Sequence, residues 1–161
     1  FDYLARNSFY KVPGRSEPTL PVPIPDGDPL DIIMALLETR TWNLKEGEKR
    51  DALVLFNDDF YELTIHAARY EELTIDLGTF KTLVLEPRMD KTPPKGMFKR
   101  GSSVRVWISQ DERHLPVRFE VGFNFGTGTA TLEAYEPPRA TAAVVKPAAG
   151  AAKPDAKDPR P

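Results

Sequence analysis

The chain of 161 residues contains no cysteine and only two histidines. The absence of cysteine excludes disulfide bridges and thiolate chemistry, and it fits both a reducing cytosol and an envelope compartment whose proteins dispense with bridges. The two histidines, His66 and His114, fall in different predicted elements, and neither has a cysteine or a helical partner at ligand spacing. The sequence therefore predicts no metal site and no cofactor.

The sequence also has little net charge and no long apolar run. Its 22 basic and 24 acidic residues are interspersed and leave a formal charge of -2. The chain therefore has no overall positive electrostatic field that would attract a nucleic-acid backbone. No apolar stretch approaches the length that crosses a bilayer. We expect no nucleic-acid partner and no transmembrane segment. Because the chain begins at Phe1 without methionine, we also expect a processed or truncated chain whose export signal stood upstream.

What the sequence does contain is an alternation of apolar and polar residues between positions 63 and 135. A period of two is typical of β-strands, and turn residues divide it into several runs. We predict a mainly β fold, an antiparallel meander of about seven strands, at 52–56, 60–67, 70–76, 79–86, 104–109, 115–125 and 129–135. The apolar residues expected to share one face are Leu63, Ile65, Leu73, Ile75, Val104, Val106, Ile108, Val117, Phe119, Val121, Phe123 and Phe125.

Before the sheet, residues 1–28 are predicted to be an extended arm, because prolines are dense between positions 13 and 29 and remove amide donors. A plain connector is preferred here over a segment that a partner recognises. At the other end, residues 137–161 are rich in alanine, proline and lysine and contain no aromatic residue. We predict that this tail is a disordered spacer. Residues 29–136 then form the folded domain.

A short helix is expected at 29–39 and should pack on the sheet. Asp28 would cap it, Pro29 would occupy its first position, and Asp31 would place a negative charge in its first turn. Its apolar arc spans about 200° at about 100° per residue, so it needs two apolar neighbours. One is the sheet; the second is another chain segment, a partner, or the mouth of an apolar cavity. The apolar residues of this arc are Leu30, Ile32, Ile33, Met34, Leu36 and Leu37.

Polar residues cluster in two predicted loops. The loop 88–101 carries five basic residues against Asp90, and a solvated loop is preferred there over a site for a phosphate, a lipid head group or an acidic protein. Those basic residues are Arg88, Lys91, Lys95, Lys99 and Arg100.

The second loop is the turn 110–114, with its flanking motif of Trp107, Ser109, Asp111 and Pro116. Asp111 can accept backbone amide hydrogen bonds in the turn, and proline at a strand start loses no needed donor. The alternative is an acid–base group of Asp111, Glu112 and His114. Adjacent residues on an exposed turn lack the burial that moves a pKa toward neutrality, so we predict a structural motif and no catalytic site.

Several stretches resemble a family of exported bacterial proteins, the domain of unknown function 3108. The resemblance is carried by Asp28-Pro-Leu-Asp31, Leu44 and Gly47, Tyr61-Glu-Leu63, Leu77-Gly-Thr-Phe80 and, most specifically, Val106-Trp-Ile-Ser-Gln-Asp-Glu-Arg-His-Leu-Pro-Val117. It covers about residues 1–135, and we expect this part to correspond to the C-terminal portion of the family domain, with the family's opening strands missing before Phe1. The resemblance implies a periplasmic or envelope location and a sheet curved like a lipoprotein-carrier half-barrel. It implies no catalytic residue.

Two functions follow as hypotheses. In the first, the domain binds a lipid or another hydrophobic molecule on the concave face of the sheet, with the helix as a cover. In the second, it is a structural or interaction component of an envelope assembly. An ordinary packed core explains the same apolar residues equally well. The residues predicted to contact a ligand are Ile33, Leu37, Ile65, Val106, Ile108, Phe119, Val121, Phe123 and Phe125.

Overall fold

A computed structural model of the chain describes residues 1–9, 13–14, 20–56, 59–99 and 101–137. The strands are β1 (Asn7–Ser8), β2 (Val22–Pro23), β3 (Pro29–Asp31), β4 (Lys49–Phe56), β5 (Asp59–Ile75), β6 (Gly78–Arg88), β7 (Ser103–Ser109), β8 (Pro116–Phe123) and β9 (Gly126–Thr131). One α-helix, α1 (Ile32–Glu38), and two 3₁₀ turns, Thr39–Thr41 and Gly96–Phe98, complete the described elements.

The main sheet has seven strands and curves into a half-barrel. From β4 to β9 each strand pairs antiparallel with the next, which confirms the predicted meander. The sheet is nevertheless mixed, because the short edge strand β3 runs parallel to β4. At the tight turn between β5 and β6, Gly78 has a φ of +121°, a conformation that residues with a side chain rarely adopt.

The strands predicted at 60–67 and 70–76 form one long strand, β5. A β-bulge separates the two halves: Ala67 pairs with Leu85 and Arg69 with Val84, which leaves Ala68 as the extra residue. An extra residue turns every later side chain to the opposite face. Leu73 and Ile75 therefore lie on the other side of the sheet from Leu63 and Ile65, and the predicted single apolar face is wrong.

A second bulge has the same effect between β7 and β8. Trp107 pairs with Arg118 and Ile108 with Pro116, so Val117 is the extra residue. Val117 is buried with Trp107 on one face, whereas Phe119 packs on the other. The sheet consequently has an apolar cluster on each face.

The first cluster lies on the face that α1 covers, and the second on the opposite face. The second is covered by the residues that follow β9: Leu132 donates its amide to the carbonyl oxygen of Val117 at 3.0 Å, and Tyr135 packs beside it. The strand predicted at 129–135 thus begins earlier and ends at Thr131.

The helix begins later than predicted. Pro29 pairs with Leu53 as part of β3, where a missing amide donor is tolerated at the sheet edge. The N-cap is Asp31, whose Oδ1 accepts hydrogen bonds from the amides of Ile33 at 2.9 Å and Met34 at 2.8 Å. The predicted role of Asp28 as the cap is wrong, because the chain is still extended three residues beyond it.

The N-terminal arm contains a small sheet. Strands β1 and β2 pair antiparallel, with Asn7 opposite Pro23, so the arm is not extended throughout. The guanidinium of Arg6 donates to the carbonyl oxygens of Pro25 and Gly27 and ties this sheet to the chain that enters β3. Predictions for four stretches fall outside the described residues: the middle of the arm, part of the connection between the strands predicted at 52–56 and 60–67, Arg100, and the tail beyond 137.

In the part of the chain that the structure describes, no helix has the length and apolar character needed to cross a membrane.

The cap assignment predicts a difference between two aspartates three residues apart. Asp31→Ala removes two hydrogen bonds to helix amides and should lower the free energy of unfolding by about 1 kcal/mol. Asp28→Ala, at an exposed position, should change it by less than about 0.5 kcal/mol. Urea denaturation followed by circular dichroism measures both. Equal losses, or a larger loss for Asp28→Ala, would contradict the assignment.

Candidate functional site

A narrow apolar cavity of about 70 Å³ lies between the sheet and its cover. The cover comprises α1, the turn Thr39–Thr41 with Trp42, and the turn Gly96–Phe98. The cavity is larger than the roughly 10–15 Å³ that one water needs and far smaller than the roughly 300–1,000 Å³ of typical ligand sites. In this conformation it has room for only a few carbon atoms. Among its lining residues are Ile32, Ala35 and Leu36 from the cover and Leu63, Ile65, Val106 and Phe119 from the sheet.

Three of the predicted ligand-contacting residues line this cavity: Ile65, Val106 and Phe119. Ile108 belongs to the same apolar cluster without lining the cavity, and Val121 is half-buried further along β8.

Four other predicted residues lie outside the cavity. Phe125 is 91% exposed and stacks on Phe123 at a ring-centroid distance of 5.3 Å, beyond the covered part of the sheet. On the helix, Ile33 and Leu37 are exposed, because the helix that starts at Ile32 turns a different set of residues inward. The wide apolar arc predicted from the sequence is thus divided, with Ile32, Ala35 and Leu36 facing the sheet.

Apart from the buried Thr39 and Trp42, the cover is only partly buried. No residue of α1 is fully buried, although three of its side chains touch the apolar cluster. Gly96 has a φ of +54°, and a side chain there would overlap the Tyr61 hydroxyl, so this turn rests directly on the sheet. The Phe98 and Tyr61 rings lie 5.7 Å apart. Segments this short, with half-buried contacts, can move away from the sheet at a small free-energy cost compared with opening the sheet itself.

Trp42 is the most buried aromatic side chain of the cover, at 7% exposure. Its Nε1–H is buried and, among the described residues, has no hydrogen-bond partner. Such a donor is unusual in a folded protein and calls for an explanation. The Arg50 guanidinium lies over the ring, 4.7 Å from its centre. Trp42 is not among the ligand-contacting residues predicted from the sequence. The available signal was its position, a large apolar side chain three residues after the predicted helix.

A second, polar chamber of about 420 Å³ adjoins the apolar cavity, and we call it the acidic vestibule. Trp42, Ala52 and Leu63 line both chambers and so form their common wall. The charged side chains of the vestibule are Asp26, Asp28, Glu38, Asp51, Glu62, Arg50 and Lys91.

Two ion pairs lie in the lining of the vestibule. Lys91 Nζ lies 2.7 Å from Asp51 Oδ2, and an Arg50 nitrogen lies 3.7 Å from a Glu38 oxygen. The hydrogen bond from Lys91, followed by that from Thr64, lowers the pKa of Asp51, and the same pair raises the pKa of Lys91. Both groups therefore remain charged at neutral pH.

The basic loop is largely neutralised by acids of the protein itself. Besides Lys91, Lys95 pairs with Asp59 at 3.0 Å and Arg88 pairs with Glu86 at 2.6 Å. These contacts fit the solvated loop that the sequence favoured better than an anion site.

The turn motif has structural contacts. Asp111 accepts hydrogen bonds from the Ser109 hydroxyl at 2.7 Å and from Arg113, and Ser109 Oγ accepts the Leu115 amide at 2.8 Å. Burial raises the pKa of Asp111, but the bonds from Ser109 and Arg113 outweigh it and leave that pKa lowered. Pro116 begins β8, and the Trp107 indole donates to Glu71 Oε1 at 3.1 Å, which also lowers the pKa of Glu71 against its burial.

The same turn holds the end of the cover. The Arg40 guanidinium donates to the carbonyl oxygen of Arg113 at 3.1 Å, and Nδ1 of His114 lies 3.2 Å from the carbonyl oxygen of Arg40. Asp111 and His114 thus have structural partners, while Glu112 is exposed. Within the described residues no three histidine, aspartate or glutamate side chains are grouped so as to hold a metal ion.

A curved sheet with an apolar cavity under a short helix defines the class of this protein, a covered β half-barrel. The family model described as protein of unknown function DUF3108 matches residues 1–133 of the 161, so the chain belongs to that family, as its sequence motifs indicated. No curated protein and no solved structure is significantly similar to the chain.

The Asp111 contacts predict a pH-dependent effect of Asp111→Asn. A folded-state pKa below the ordinary value of 3.8 stabilises the protein above that value, and the contribution is lost as the pH falls through the folded-state pKa. Because the side chain is 36% exposed, the variant should be less stable by only about 0.5–1 kcal/mol at pH 7. Thermal melts from pH 7 to pH 3 should show this difference shrinking in acid.

The neighbouring Glu112→Gln is the control. It changes an exposed carboxylate of the same turn and should alter stability at pH 7 by less than about 0.5 kcal/mol. An Asp111→Asn deficit that is constant or grows toward pH 3 would exclude the assigned role of the carboxylate.

Proposed function

We propose that this protein is a non-catalytic binding domain of the cell envelope that holds a single aliphatic chain between its sheet and its cover. The observation that carries the proposal is an apolar cavity closed by a helix that has no fully buried residue. The envelope location rests on the family resemblance alone.

The small volume of the cavity means that the cover has to move outward when a chain enters. The displacement uncovers Ile32, Ala35 and Leu36, which are only half-buried. Burying a chain of about eight methylenes gains about 6 kcal/mol, whereas fully burying one large side chain gains about 1.5–3 kcal/mol. Burial of the chain therefore offsets the loss of these partial contacts. In the unliganded protein the cover rests on the sheet and excludes water from the cavity.

A second candidate function, a component of an envelope assembly, is favoured by the outer face of α1. Ile33, Met34 and Leu37 are 61%, 50% and 43% exposed and lie together on this face. An apolar surface of this kind is typical of a contact with another molecule. The two functions use opposite sides of the same helix.

The two tryptophans provide a direct test of where a chain binds. Trp42 lines the cavity, whereas Trp107 is buried in the second cluster on the opposite face. In Trp107→Phe, a fatty acid brominated along its chain should quench the remaining fluorescence on binding, because bromine quenches only close to the indole. In Trp42→Phe, the same fatty acid should leave the fluorescence of Trp107 unchanged.

The matched pair separates insertion from surface adsorption. Equal quenching of both tryptophans would indicate nonspecific association, and no quenching of Trp42 at saturating fatty acid would refute the proposal. Circular dichroism of both variants establishes that each is folded.

Filling the cavity should block binding. Ala35 is half-buried and lines the cavity, so Ala35→Leu places additional carbon atoms where the chain would lie. We expect at least tenfold weaker binding of the brominated fatty acid, with stability within about 1.5 kcal/mol of the parent. Met34→Leu, one residue earlier on the exposed face, should bind like the parent. Unchanged binding in Ala35→Leu would place the ligand elsewhere.

A further inference from the structure

We propose that the turn between β8 and β9, residues 123–126, docks this protein on a lipid bilayer by inserting two phenylalanine rings among the lipids. We call this turn the hairpin tip. The inference rests on the proposed function, because it names the source from which the aliphatic chain would be taken.

The first argument is the exposure of two aromatic rings at the hairpin tip. Phe123 ends β8 and is 39% exposed, and Phe125 lies in the turn and is 91% exposed. Their rings stack with centroids 5.3 Å apart and planes 3° from parallel. Tight hairpin turns favour asparagine, aspartate and glycine, so turn formation gives no reason for a phenylalanine at position 125. Exposed apolar groups of this kind are typical of a contact with a membrane or another molecule.

The second argument is continuity with the cavity. Phe119 lines the cavity, and Val121 pairs with Val104, which lines it too. Because alternate residues of a strand share a face, Phe119, Val121 and Phe123 form one apolar row that leads from the cavity to the hairpin tip. The row is about 13 Å long at a rise of about 3.3 Å per residue.

One flank of this row is uncovered. On the neighbouring strand β9, the residues opposite Phe119, Val121 and Phe123 are Ala130, Gly128 and Gly126. None of the three carries a side chain larger than a methyl group, and all three are exposed. A chain drawn from a bilayer at the hairpin tip therefore has an apolar path along β8 to the cavity.

The third argument is the absence of charge at the hairpin tip. The twelve residues 121–132 contain no charged side chain, although 29% of the whole chain is charged. A charge that enters a bilayer has to be desolvated at a high cost in free energy. An uncharged tip avoids this cost.

The segment beside the hairpin tip is basic. Residues 95–105 carry four basic residues and no acidic one. The two segments are in contact, because Ser103 pairs with Gly122 and a side chain at Gly101 would overlap the Asn124 side chain. Lys99 of this segment is exposed. A basic residue beside an inserted tip is attracted by anionic head groups.

The size of the exposed surface favours a bilayer over a protein partner. A stable protein interface buries about 800 Å² on each partner. Two phenylalanine side chains bury only about 150–250 Å² each. Peripheral proteins insert apolar side chains about 5–10 Å into the boundary between head groups and acyl chains, a depth that rings at the end of a hairpin can reach.

The insertion can be observed with a fluorophore at the hairpin tip. Because the chain has no cysteine, a single introduced thiol is labelled uniquely with nitrobenzoxadiazole. Asn124→Cys places the label at the hairpin tip, and Glu112→Cys places it in the turn at the opposite end of β8. On vesicles of phosphatidylcholine and phosphatidylglycerol, the emission of the label at 124 should shift to shorter wavelength. The label at 112 should emit as it does in buffer.

Variants of the hairpin tip test which groups bind the bilayer. Phe123→Ser combined with Phe125→Ser should weaken vesicle binding, measured by flotation, at least tenfold, because two apolar rings no longer insert. Leu77→Ser is the matched control. It removes an exposed apolar side chain from the hairpin turn between β5 and β6, at the other end of the sheet, and should bind vesicles like the parent. Circular dichroism establishes that both variants are folded.

The contribution of charge is measured with Lys99→Gln. This variant should bind the anionic vesicles about fivefold more weakly than the parent at low ionic strength. Its binding to vesicles of phosphatidylcholine alone should equal that of the parent.

Three outcomes would overturn docking through the hairpin tip: no binding of the parent to vesicles, binding that the double serine variant retains, or equal emission shifts of both labels. A fourth is a dimer of the parent, seen by analytical ultracentrifugation without vesicles, that the double serine variant abolishes. This result would assign the two rings to a contact with a second copy of the chain.

The chain site is tested separately. In the Trp107→Phe background, the brominated fatty acid added from solution should still quench Trp42 when both phenylalanines are serine. Vesicle docking without any quenching of Trp42 refutes the chain site alone, whereas quenching of Trp42 without vesicle docking refutes the hairpin tip alone.

Discussion

The organisation of this domain depends on two β-bulges. Each inserts one residue, Ala68 in β5 and Val117 in β8, and each turns the following side chains to the opposite face of the sheet. Without them, Leu73 and Val117 would share the concave face with Leu63 and Phe119. With them, these residues join Trp107, which faces away from the concave surface by simple alternation, in a separate cluster behind the sheet. A strand as long as β5 can therefore contribute to two cores, and the sheet can curve at the points where its register shifts.

The apolar clusters on the two faces of the sheet are covered by different kinds of chain segment. Behind the sheet, the chain after β9 packs Leu132 and Tyr135 directly against buried residues. On the concave face, a seven-residue helix with no buried residue closes an apolar cavity, and its end is held by hydrogen bonds between Arg40 and the turn at Arg113. The rigid parts of the fold thus support a face whose cover is weakly attached. This contrast is the physical basis for proposing a ligand site on the concave face.

Charged side chains also differ between the basic loop and the vestibule. Two lysines of the basic loop are paired with acids of the neighbouring strands, Lys95 with Asp59 and Lys91 with Asp51, so these two offer little to an anion. The vestibule beside the cavity keeps an excess of carboxylates, and Trp42 lines both of them.

The sequence by itself determined the strand-rich fold, the meander, the presence of one short helix and the family, because alternation and turn residues such as Gly78 act locally. It also indicated Ile65, Val106 and Phe119 as residues of the concave face. Only the tertiary structure decided which face each later residue occupies, that Asp31 and not Asp28 caps the helix, and that Trp42 forms a wall between two chambers. The physical reason is that a bulge, a parallel edge pairing and a shared wall each depend on a neighbouring strand, which a local pattern does not contain.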